Sequence, residues 1–567
     1  MGPDLAPLAR LLRLAPAFAL LAAASPGVVF AEGSAWMAIL AVALWGVSAS
    51  RPGRLAFWIE ALLGALAWSW ICQWAAHVWW GTLLWIGPGK GLYMALAGVL
   101  LRRLAPRWPL ALAVPTAWMA VDSLRSLMPP PLGMSWMRLG THLADVAPLL
   151  ASARVWGFTG LGWVLAAAAG GIAACLRQRR ARPVELALAS APALVALGLG
   201  ALVGPGETTP GPKLLLIQPG IAQERKMSSG SPSELYRTSF ELTRRGLADA
   251  RERGLGDPDL VCWGETMFPL PIQAEGLEDA VRAGASVAPW YPYAFSAEDV
   301  RSLREGARGW IDLALLGHGR SGLLPPGTSF LSGAEHYRVV DGWVRRANSV
   351  HLWDAAHGLG RPVDKLMVVP GTETMLGLER FGWVREVIFA LAGYLPDLVS
   401  DLDAPRALAF TARDGRSYRL GVSICYDNAF DAPFVRPLRE GPLDFHLVAS
   451  NEAWFDRSLE FDQMLAFSRV EAAATARAVV RATNSGISIA LGPRGEELGR
   501  VLGVPRGGGP PRDRESTGTL ALRVPVPAPG ASAHRTPWVR LARVWSFLWI
   551  LVPLGLLALA RRPRDAA

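Results

Sequence analysis

Long apolar runs fill the first two hundred or so positions of the chain, give way to a long segment in which short apolar stretches alternate with polar ones, and return once near the C-terminus. A helix that crosses a bilayer needs roughly 20 mostly apolar residues. Stretches of that kind lie near 11–31, 34–50, 55–75, 84–101, 108–124, 155–176, 184–204 and 541–560. The pattern therefore predicts a multi-pass α-helical membrane domain of about eight spans, with about seven ahead of the polar segment and one behind it. The expected divisions are 1–204 for the first membrane part, 205–540 for the polar domain, and 541–567 for a last span with a basic tail.

Inside 205–540 the periodicity changes. Lys213-Leu214-Leu215-Leu216-Ile217, Asp259-Leu260-Val261-Cys262-Trp263, the run 418–424, the run 444–449 and Ser488-Ile489-Ala490-Leu491 read as short buried strands, with helices expected over about 232–253 and 461–478. Strands alternating with helices predict a layered α/β domain. Its linkers are Gly204-Pro205-Gly206 through Pro212 at the front, and Gly507-Gly508-Gly509-Pro510-Pro511 and Pro525-Val526-Pro527 at the back. No internal repeat is found.

Composition agrees with a membrane protein: 51% of the residues are hydrophobic and 24 are tryptophan. The charge pattern orients the spans. Short loops rich in Lys and Arg stay in the cytoplasm. Arg10 and Arg13 precede the first span, Arg51 and Arg54 follow the second, Arg102, Arg103 and Arg107 follow the fourth, and Arg177, Arg179, Arg180 and Arg182 follow the sixth. Arg561, Arg562 and Arg564 close the chain. The intervening loops carry few charges, with Arg125, Arg138 and Arg154 spread over a long connection between the fifth and sixth spans. Both termini are thus expected in the cytoplasm and the polar domain outside it. The orienting arginines alone exceed the net charge of +10, so the basicity reports topology and not nucleic-acid binding. The first segment also fits a cleaved leader, because its apolar stretch ends in small residues near Ala31; the domain falls outside on either reading.

Four cysteines make no disulfide framework. Cys72 and Cys175 lie in apolar spans, and Cys262 stands within a strand-like run, where packing is the expected role. Cys425 differs, because it ends the apolar run 418–424 just as Glu265 follows the run 259–263 in Trp263-Gly264-Glu265-Thr266. Polar residues at strand ends are favoured positions for chemistry in α/β domains. Lys365, in Val363-Asp364-Lys365-Leu366, is a third. A thiolate attacks a carbonyl carbon, a carboxylate takes and returns the thiol proton, and an ammonium stabilises the oxyanion. Any one of these residues alone is more often structural or solvated.

Taken together, Trp263-Gly264-Glu265, Asp364-Lys365-Leu366 and Ile424-Cys425-Tyr426-Asp427 resemble the motifs of the carbon-nitrogen hydrolase, or nitrilase-like, superfamily across most of 213–500. With apolar spans on both sides, the chain resembles the apolipoprotein N-acyltransferases. Ser450-Asn451-Glu452-Ala453-Trp454-Phe455 and Arg481-Ala482-Thr483-Asn484-Ser485-Gly486 match that family, as do Trp118, Asp122, Leu124-Arg125 and Gly133-Met134-Ser135-Trp136 in the membrane part. The resemblance implies an extracytoplasmic nitrilase-like αββα sandwich. It also implies Glu265 as general base, Lys365 as stabiliser of the tetrahedral intermediate and Cys425 as nucleophile, with Glu373, Tyr426, Asp427, Asn451 and Trp454 in support. The implied reaction moves an acyl chain from a phospholipid, through a Cys425 thioester, to the N-terminal amine of a diacylated apolipoprotein. It takes place at a bacterial cytoplasmic membrane, without a cofactor or metal, in a monomer. The chain departs from the family at Gly264, where proline is usual, at Met227, where tryptophan is usual, across 371–375, and in a longer stretch between Glu265 and Asn348 that includes an aromatic cluster at 289–293.

Other readings stand beside this one. A membrane-anchored amidase would use the same three residues with water as acceptor, and a Cys–His hydrolase would use His446 within its apolar strand. A scaffold or transporter would need no reactive residues at all. Phe381, Val384, Ile388, Leu391 and Leu395 recur at helical spacing, with Trp383 and Tyr394 beside them, and form either a lipid-contacting face or an ordinary core helix. Asp122 and Arg125 either line a lipid entrance or form a structural ion pair.

Overall fold

The computed structural model describes residues 6–559 apart from 131, 180–181, 228–230, 288–294, 317–321, 393–394, 405 and 456–457. Arg180, Arg561, Arg562, Arg564, the aromatic cluster 289–293 and Tyr394 lie outside the described residues.

A helix occupies each apolar stretch: α1 (Ala6–Ala24), α2 (Ala35–Ala49), α3 (Ala56–Ile71), α4 (Leu83–Leu104), α5 (Leu110–Leu127), α6 (Ala153–Gln178), α7 (Pro183–Leu202) and the C-terminal helix Pro537–Leu559. α1 stops at Ala24, short of the expected 31, because Pro26-Gly27 turns the chain. Among the described residues, five helices are long and apolar enough to cross a membrane, namely α1, Trp80–Leu104, α6, α7 and Pro537–Leu559, whereas α2 and α3 are apolar but shorter. Large apolar side chains such as Leu66, Trp70, Leu84, Leu194 and Leu551 point outward from the bundle, as lipid-facing positions do.

Arg10, Arg51, Arg102 and Arg177 gather at one end of the bundle. Arg10 donates to the Arg51 carbonyl at 2.8 Å and to Glu60 Oε1 at 2.7 Å, Arg102 reaches the same carboxylate at 2.6 Å, and Arg177 donates to Ser50 Oγ at 3.1 Å. Arg125, Arg138 and Arg154, from the long connection, are buried and paired instead. Arg138 meets Asp431 through two bonds of 2.8 and 2.6 Å. Arg125 bonds Asp122 and the carbonyls of Met134, Trp136 and Met137. Asp122 and Arg125 thus form an ion pair that holds the 134–137 loop.

The polar segment folds into two facing sheets. Its strands are β1 (Thr208–Gln218), β2 (Leu260–Cys262), β3 (Ser329–Val340), β4 (Trp343–Asp354), β5 (Ala407–Thr411), β6 (Ser417–Ile424), β7 (Phe445–Ser450), β8 (Ala478–Thr483), β9 (Ile489–Leu491), β10 (Glu497–Arg500) and β11 (Ser516–Pro527). The larger sheet runs β11-β1-β2-β3-β4, parallel from β1 to β3, and the smaller runs β10-β9-β8-β7-β6-β5, parallel from β6 to β8. Side chains alternate across a strand. Leu214, Leu216, Leu260, Leu331 and Val350 of one sheet therefore pack against Leu420, Val422, Phe445, Leu447 and Val480 of the other. The free thiol of Cys262 lies in this core.

Helix layers cover both outer faces. α8 (Ser231–Glu252) and α9 (Ala297–Arg308) close the larger sheet, where Tyr236, Leu242 and Ala307 meet Leu215, Val261 and Phe330. α11 (Ala432–Glu440) and α12 (Glu460–Thr475) close the smaller, following the exposed helix α10 (Gly382–Ala392) in the chain. The result is an αββα sandwich. α12 is buried on nearly every side because its second face, with Met464, Phe467 and Val470, joins the core of the membrane helices.

Candidate active site

Three strand ends meet at one edge of the sandwich. β2 ends at Cys262, and the ladder bonds from Trp263 N to Leu331 O at 2.9 Å and from Gly333 N to Gly264 O at 3.0 Å carry the chain on to Glu265. Gly333 permits this approach, since a Cβ there would lie 2.4 Å from Thr266 N and 2.7 Å from Glu265 Cα. Gly264 is also hemmed in, with Ser450 O 3.0 Å from where its Cβ would be. Glu265 is buried, accepting from Asn348 Nδ2 at 2.6 Å and from Asn451 N at 2.7 Å.

Lys365 follows the short strand Val363–Asp364 on the edge of β4 and donates its backbone N–H to Asn348 O at 2.7 Å. Its Nζ lies 2.7 Å from Glu373 Oε1 and 3.6 Å from Glu265 Oε1. Glu373 in turn accepts from Val369 N at 2.8 Å, which fixes its carboxylate under the ammonium.

Cys425 follows β6 in the left-handed region, at φ 48°, and opens the 3₁₀ turn Cys425–Ala429. A non-glycine residue there is strained by about 1–3 kcal/mol, a cost met mostly at functional positions. Asp427 holds the turn. Its fully buried carboxylate accepts from Ile424 N at 3.1 Å, Leu366 N at 3.1 Å and Met367 N at 2.6 Å. One side chain thus ties the backbone just before Cys425 to the backbone that follows Lys365.

Burial pushes the Cys425 thiol well above its ordinary range, and the Glu265 carboxylate adds to the effect while Lys365 opposes it. Burial alone would lower the Lys365 ammonium, but Glu373, Cys425 and Glu265 outweigh it and hold the group above its usual value. Burial also raises the Glu373 carboxyl, against the pull of Lys365. A thiol held in this way reacts readily only when a neighbouring group takes its proton, and the anchored Glu265 carboxylate is such a group. The same electrostatics favour proton transfer only when charge on sulfur is stabilised by the ammonium.

The remaining sequence candidates fall around this centre. Asn451 orients Glu265 through its backbone, while its side chain bonds Gln223 at 3.0 Å and Asn484 at 2.9 Å. The Tyr426 ring faces the membrane helices, 6.1 Å from Trp136 with the planes at 18°. Trp454 is exposed on the turn Glu452–Phe455. His446 is excluded as a base. It sits in register with Gly421, against Phe434, and burial drives its imidazole down to about 3.

Asn348 is a site residue that the sequence reading did not single out, as is Lys226, whose Nζ donates to Glu265 O at 3.2 Å and Thr266 Oγ1 at 2.5 Å. A cavity of about 1360 Å³ lies elsewhere, on the far face of β3 and β4 beside His336, His351 and Trp353, and touches the site only through Asp364.

Two apolar features flank the centre. Helix α10 presents Phe381, Trp383, Val387, Phe389 and Leu391 to the outside, while Val384 and Leu395 turn inward. The face expected from spacing therefore divides, and most of the helix's apolar surface is exposed instead of forming a core. On the opposite side Gln463 of α12 accepts from Trp74 Nε1 at 3.1 Å and Trp136 Nε1 at 2.6 Å, and donates to Ile71 O at 3.0 Å.

Residues 17–171 match the family model of the apolipoprotein N-acyltransferase N-terminal domain. The chain is 23% identical over 390 residues to an apolipoprotein N-acyltransferase of Chlorobaculum tepidum, covering 67% of this chain and 66% of that protein. It is 26% identical over 399 residues to one of Bordetella bronchiseptica, covering 67% and 63%. A third, of Geobacter metallireducens, is 24% identical over 495 residues, covering 84% and 83%. In the first two the match thus spans just under two thirds of the relative's own length. Among solved structures the chain is similar to an amidase from Nesterenkonia sp., at 16% identity and a TM-score of 0.32, covering 60% of this chain and all of that one. The resemblance to apolipoprotein N-acyltransferases stands on the family model and on these relatives.

Proposed function

We propose that this chain is a membrane-bound N-acyltransferase of the apolipoprotein type, with Cys425 as nucleophile, Glu265 as general base and Lys365 as the stabiliser of negative charge. The observation that carries the reading is the convergence of these three buried side chains at one strand edge, with Lys365 Nζ 3.6 Å from Glu265. The names of the relatives supply the substrate class.

In the first half-reaction Glu265 takes the Cys425 proton and the sulfur attacks the ester carbonyl of a phospholipid. Lys365 meets the oxyanion. Collapse of the intermediate breaks the ester C–O bond, and protonated Glu265 returns the proton to the departing alkoxide, releasing lysophospholipid and leaving the thioester. In the second half the neutral α-amine of a diacylglyceryl-cysteine attacks the thioester carbonyl and Glu265 takes a proton from the nitrogen. The C–S bond then breaks and the proton passes to sulfur, restoring the thiol and releasing the amide. Aminolysis must outrun hydrolysis, which favours a buried thioester from which water is excluded.

In this reading residues 1–204 and 541–567 form the membrane part, with about eight spans, and 205–540 form the catalytic domain. The orienting arginines put both termini in the cytoplasm and the catalytic domain on the outer side of the bacterial cytoplasmic membrane, where the protein works as a monomer. Glu373 holds Lys365, Asp427 and Asn451 hold the turn and the base, and Tyr426 and Trp454 line the approach.

Mass spectrometry of the purified protein with phospholipid tests the proposal. The expected result is an acyl adduct on Cys425 that is absent from Cys425→Ala and is discharged by a diacylated lipopeptide. An adduct discharged only by water would point to an amidase-like hydrolase, and no adduct at all would defeat the covalent route.

A further inference from the structure

The three proposed catalytic groups are not the only ionisable side chains at the strand edge. Lys226, on the short helical turn Gln223–Met227, extends a half-buried amine to the backbone of Glu265. Its Nζ donates to the Glu265 carbonyl at 3.2 Å and to Thr266 Oγ1 at 2.5 Å. Thr266 lies in the left-handed region at φ 48°, an unfavourable conformation for a β-branched residue. The turn is therefore clasped between Gly333, whose lack of a Cβ allows β3 to press against it, and the Lys226 ammonium.

Among the described residues, three ionisable groups act on this amine. They are Glu265 at the end of β2, Cys425 at the end of β6 and Glu335 on β3, which is itself paired with Arg346 at 3.5 Å. Glu224 and Arg225 share its turn and are exposed. The pocket thus holds two lysines, of which Lys365 is tied to Glu373 and Lys226 to the backbone of the base. Lys226 restrains the Glu265 main chain directly, and its charge and that of Cys425 act on one another.

Resting on the catalytic assignment above, we propose that Lys226 is a positioning residue of this site, a protonated clamp that fixes the Glu265 turn and eases loss of the Cys425 proton. Burial draws the Lys226 ammonium down to about 8, against the pull of Glu265, Cys425 and Glu335. The clamp is therefore charged at neutral pH and is lost as the pH rises through about 8. A lysine in this state can act as a switch, whereas arginine stays charged throughout.

The test is the pH profile of Cys425 alkylation by iodoacetamide in the full-length protein, with Cys425→Ala as blank, followed by the rate of acyl-enzyme formation from phospholipid. Lys226→Gln should move the alkylation profile to higher pH and slow acylation between about ten- and a hundredfold, the scale of a misplaced catalytic group. Lys226→Arg should restore the alkylation profile and remove any decline in acylation above about pH 8 that comes from loss of this charge. A Lys226→Gln profile that overlies the unsubstituted one overturns the proposal, as does a Lys226→Arg profile displaced just as far. If Lys226→Gln does not fold, Lys226→Arg carries the test alone, and an unchanged decline above pH 8 would count against the clamp. Alkylation needs no lipid. Failure to transfer an acyl chain would therefore defeat the functional reading without touching this one.

Discussion

Trp136, from the loop after the fifth apolar helix, stacks on Tyr426, the residue next to Cys425, with ring centroids 6.1 Å apart and planes at 18°. The apolar helices are thereby joined, ring to ring, to the turn that Cys425 opens. Trp136 is held from behind by Gln463 at 2.6 Å, by an edge contact with Phe467 and by the Arg125 bond to its carbonyl at 2.8 Å. Arg125 and Asp122 hold the loop that carries the tryptophan.

Replacing Trp136 by alanine should remove the stack and leave a cavity between the helices and the sandwich. Truncating a buried tryptophan costs about 3–5 kcal/mol, and an aromatic pair contributes about 0.5–1.5 kcal/mol beyond its buried area. Trp136→Ala should lower the midpoint of thermal unfolding in detergent and slow acylation of Cys425, whereas Trp136→Phe should recover most of both. Equal acylation rates in all three proteins would mean that the stack has no part in setting the nucleophile turn.

Lys365 differs from a surface lysine because it balances two buried carboxylates, Glu373 at 2.7 Å and Glu265 at 3.6 Å. Lys365→Met strands both, and removing one partner of a buried ion pair costs about 3–5 kcal/mol. Loss of the oxyanion partner should separately cut acyl-enzyme formation by about a hundredfold or more. The double variant Lys365→Met with Glu373→Gln should regain part of the stability but none of the rate. A denaturant titration beside single-turnover acylation separates the two effects.

The pH behaviour of Cys425 offers an independent check on Glu265. Burial first, and the negative charge of Glu265 second, push the thiol up. Alkylation should still be climbing beyond the usual cysteine value of about 8.5. Glu265→Gln removes the second cause, so its profile should move to lower pH. The same change should lower the acylation rate about 10²–10⁴-fold, because the general base is gone. A more ionisable thiol that reacts more slowly with ester is a pair of outcomes that simple misfolding would not give.

How much of this centre could be read in advance follows from where each residue lies. Glu265 and Cys425 stand just past apolar runs that form β2 and β6, and the lysine follows the short strand Val363–Asp364, so strand ends single out all three as candidates. Asn348 went unnoticed because the β3–β4 hairpin was not recognised. Its signal was present in Asp341-Gly342, which occupy φ 52° and 79° as a two-residue hairpin turn requires. Lys226 offered no such signal, since it sits on a five-residue turn and reaches the site only through the packing of the Gly220–Gln223 segment against Asn484 and Asn451. Periodicity alone also could not distinguish a lipid-facing Asp122–Arg125 pair from one that folds a loop, because both place the charges one helical turn apart. Of the stripe Phe381, Val384, Ile388, Leu391 and Leu395, only Val384, Ile388 and Leu391 fall within α10, and those residues do not share one environment.

That helix leads to the last prediction. α10 follows Glu373 directly, and Trp383, Phe389 and Leu391 are each more than half exposed, which is unusual for large apolar side chains of an α/β domain. Surface substitutions away from packed features change stability by no more than about 0.5 kcal/mol. The triple variant Trp383→Ser, Phe389→Ser, Leu391→Ser should therefore unfold at nearly the same temperature as the unsubstituted protein. If the exposed face meets lipid, the variant should need a several-fold higher phospholipid concentration in mixed micelles for half-maximal acylation of Cys425, while iodoacetamide alkylation, which needs no lipid, stays the same. The face would be mere surface if the phospholipid dependence were unchanged, and part of the domain's packing if the unfolding temperature fell sharply.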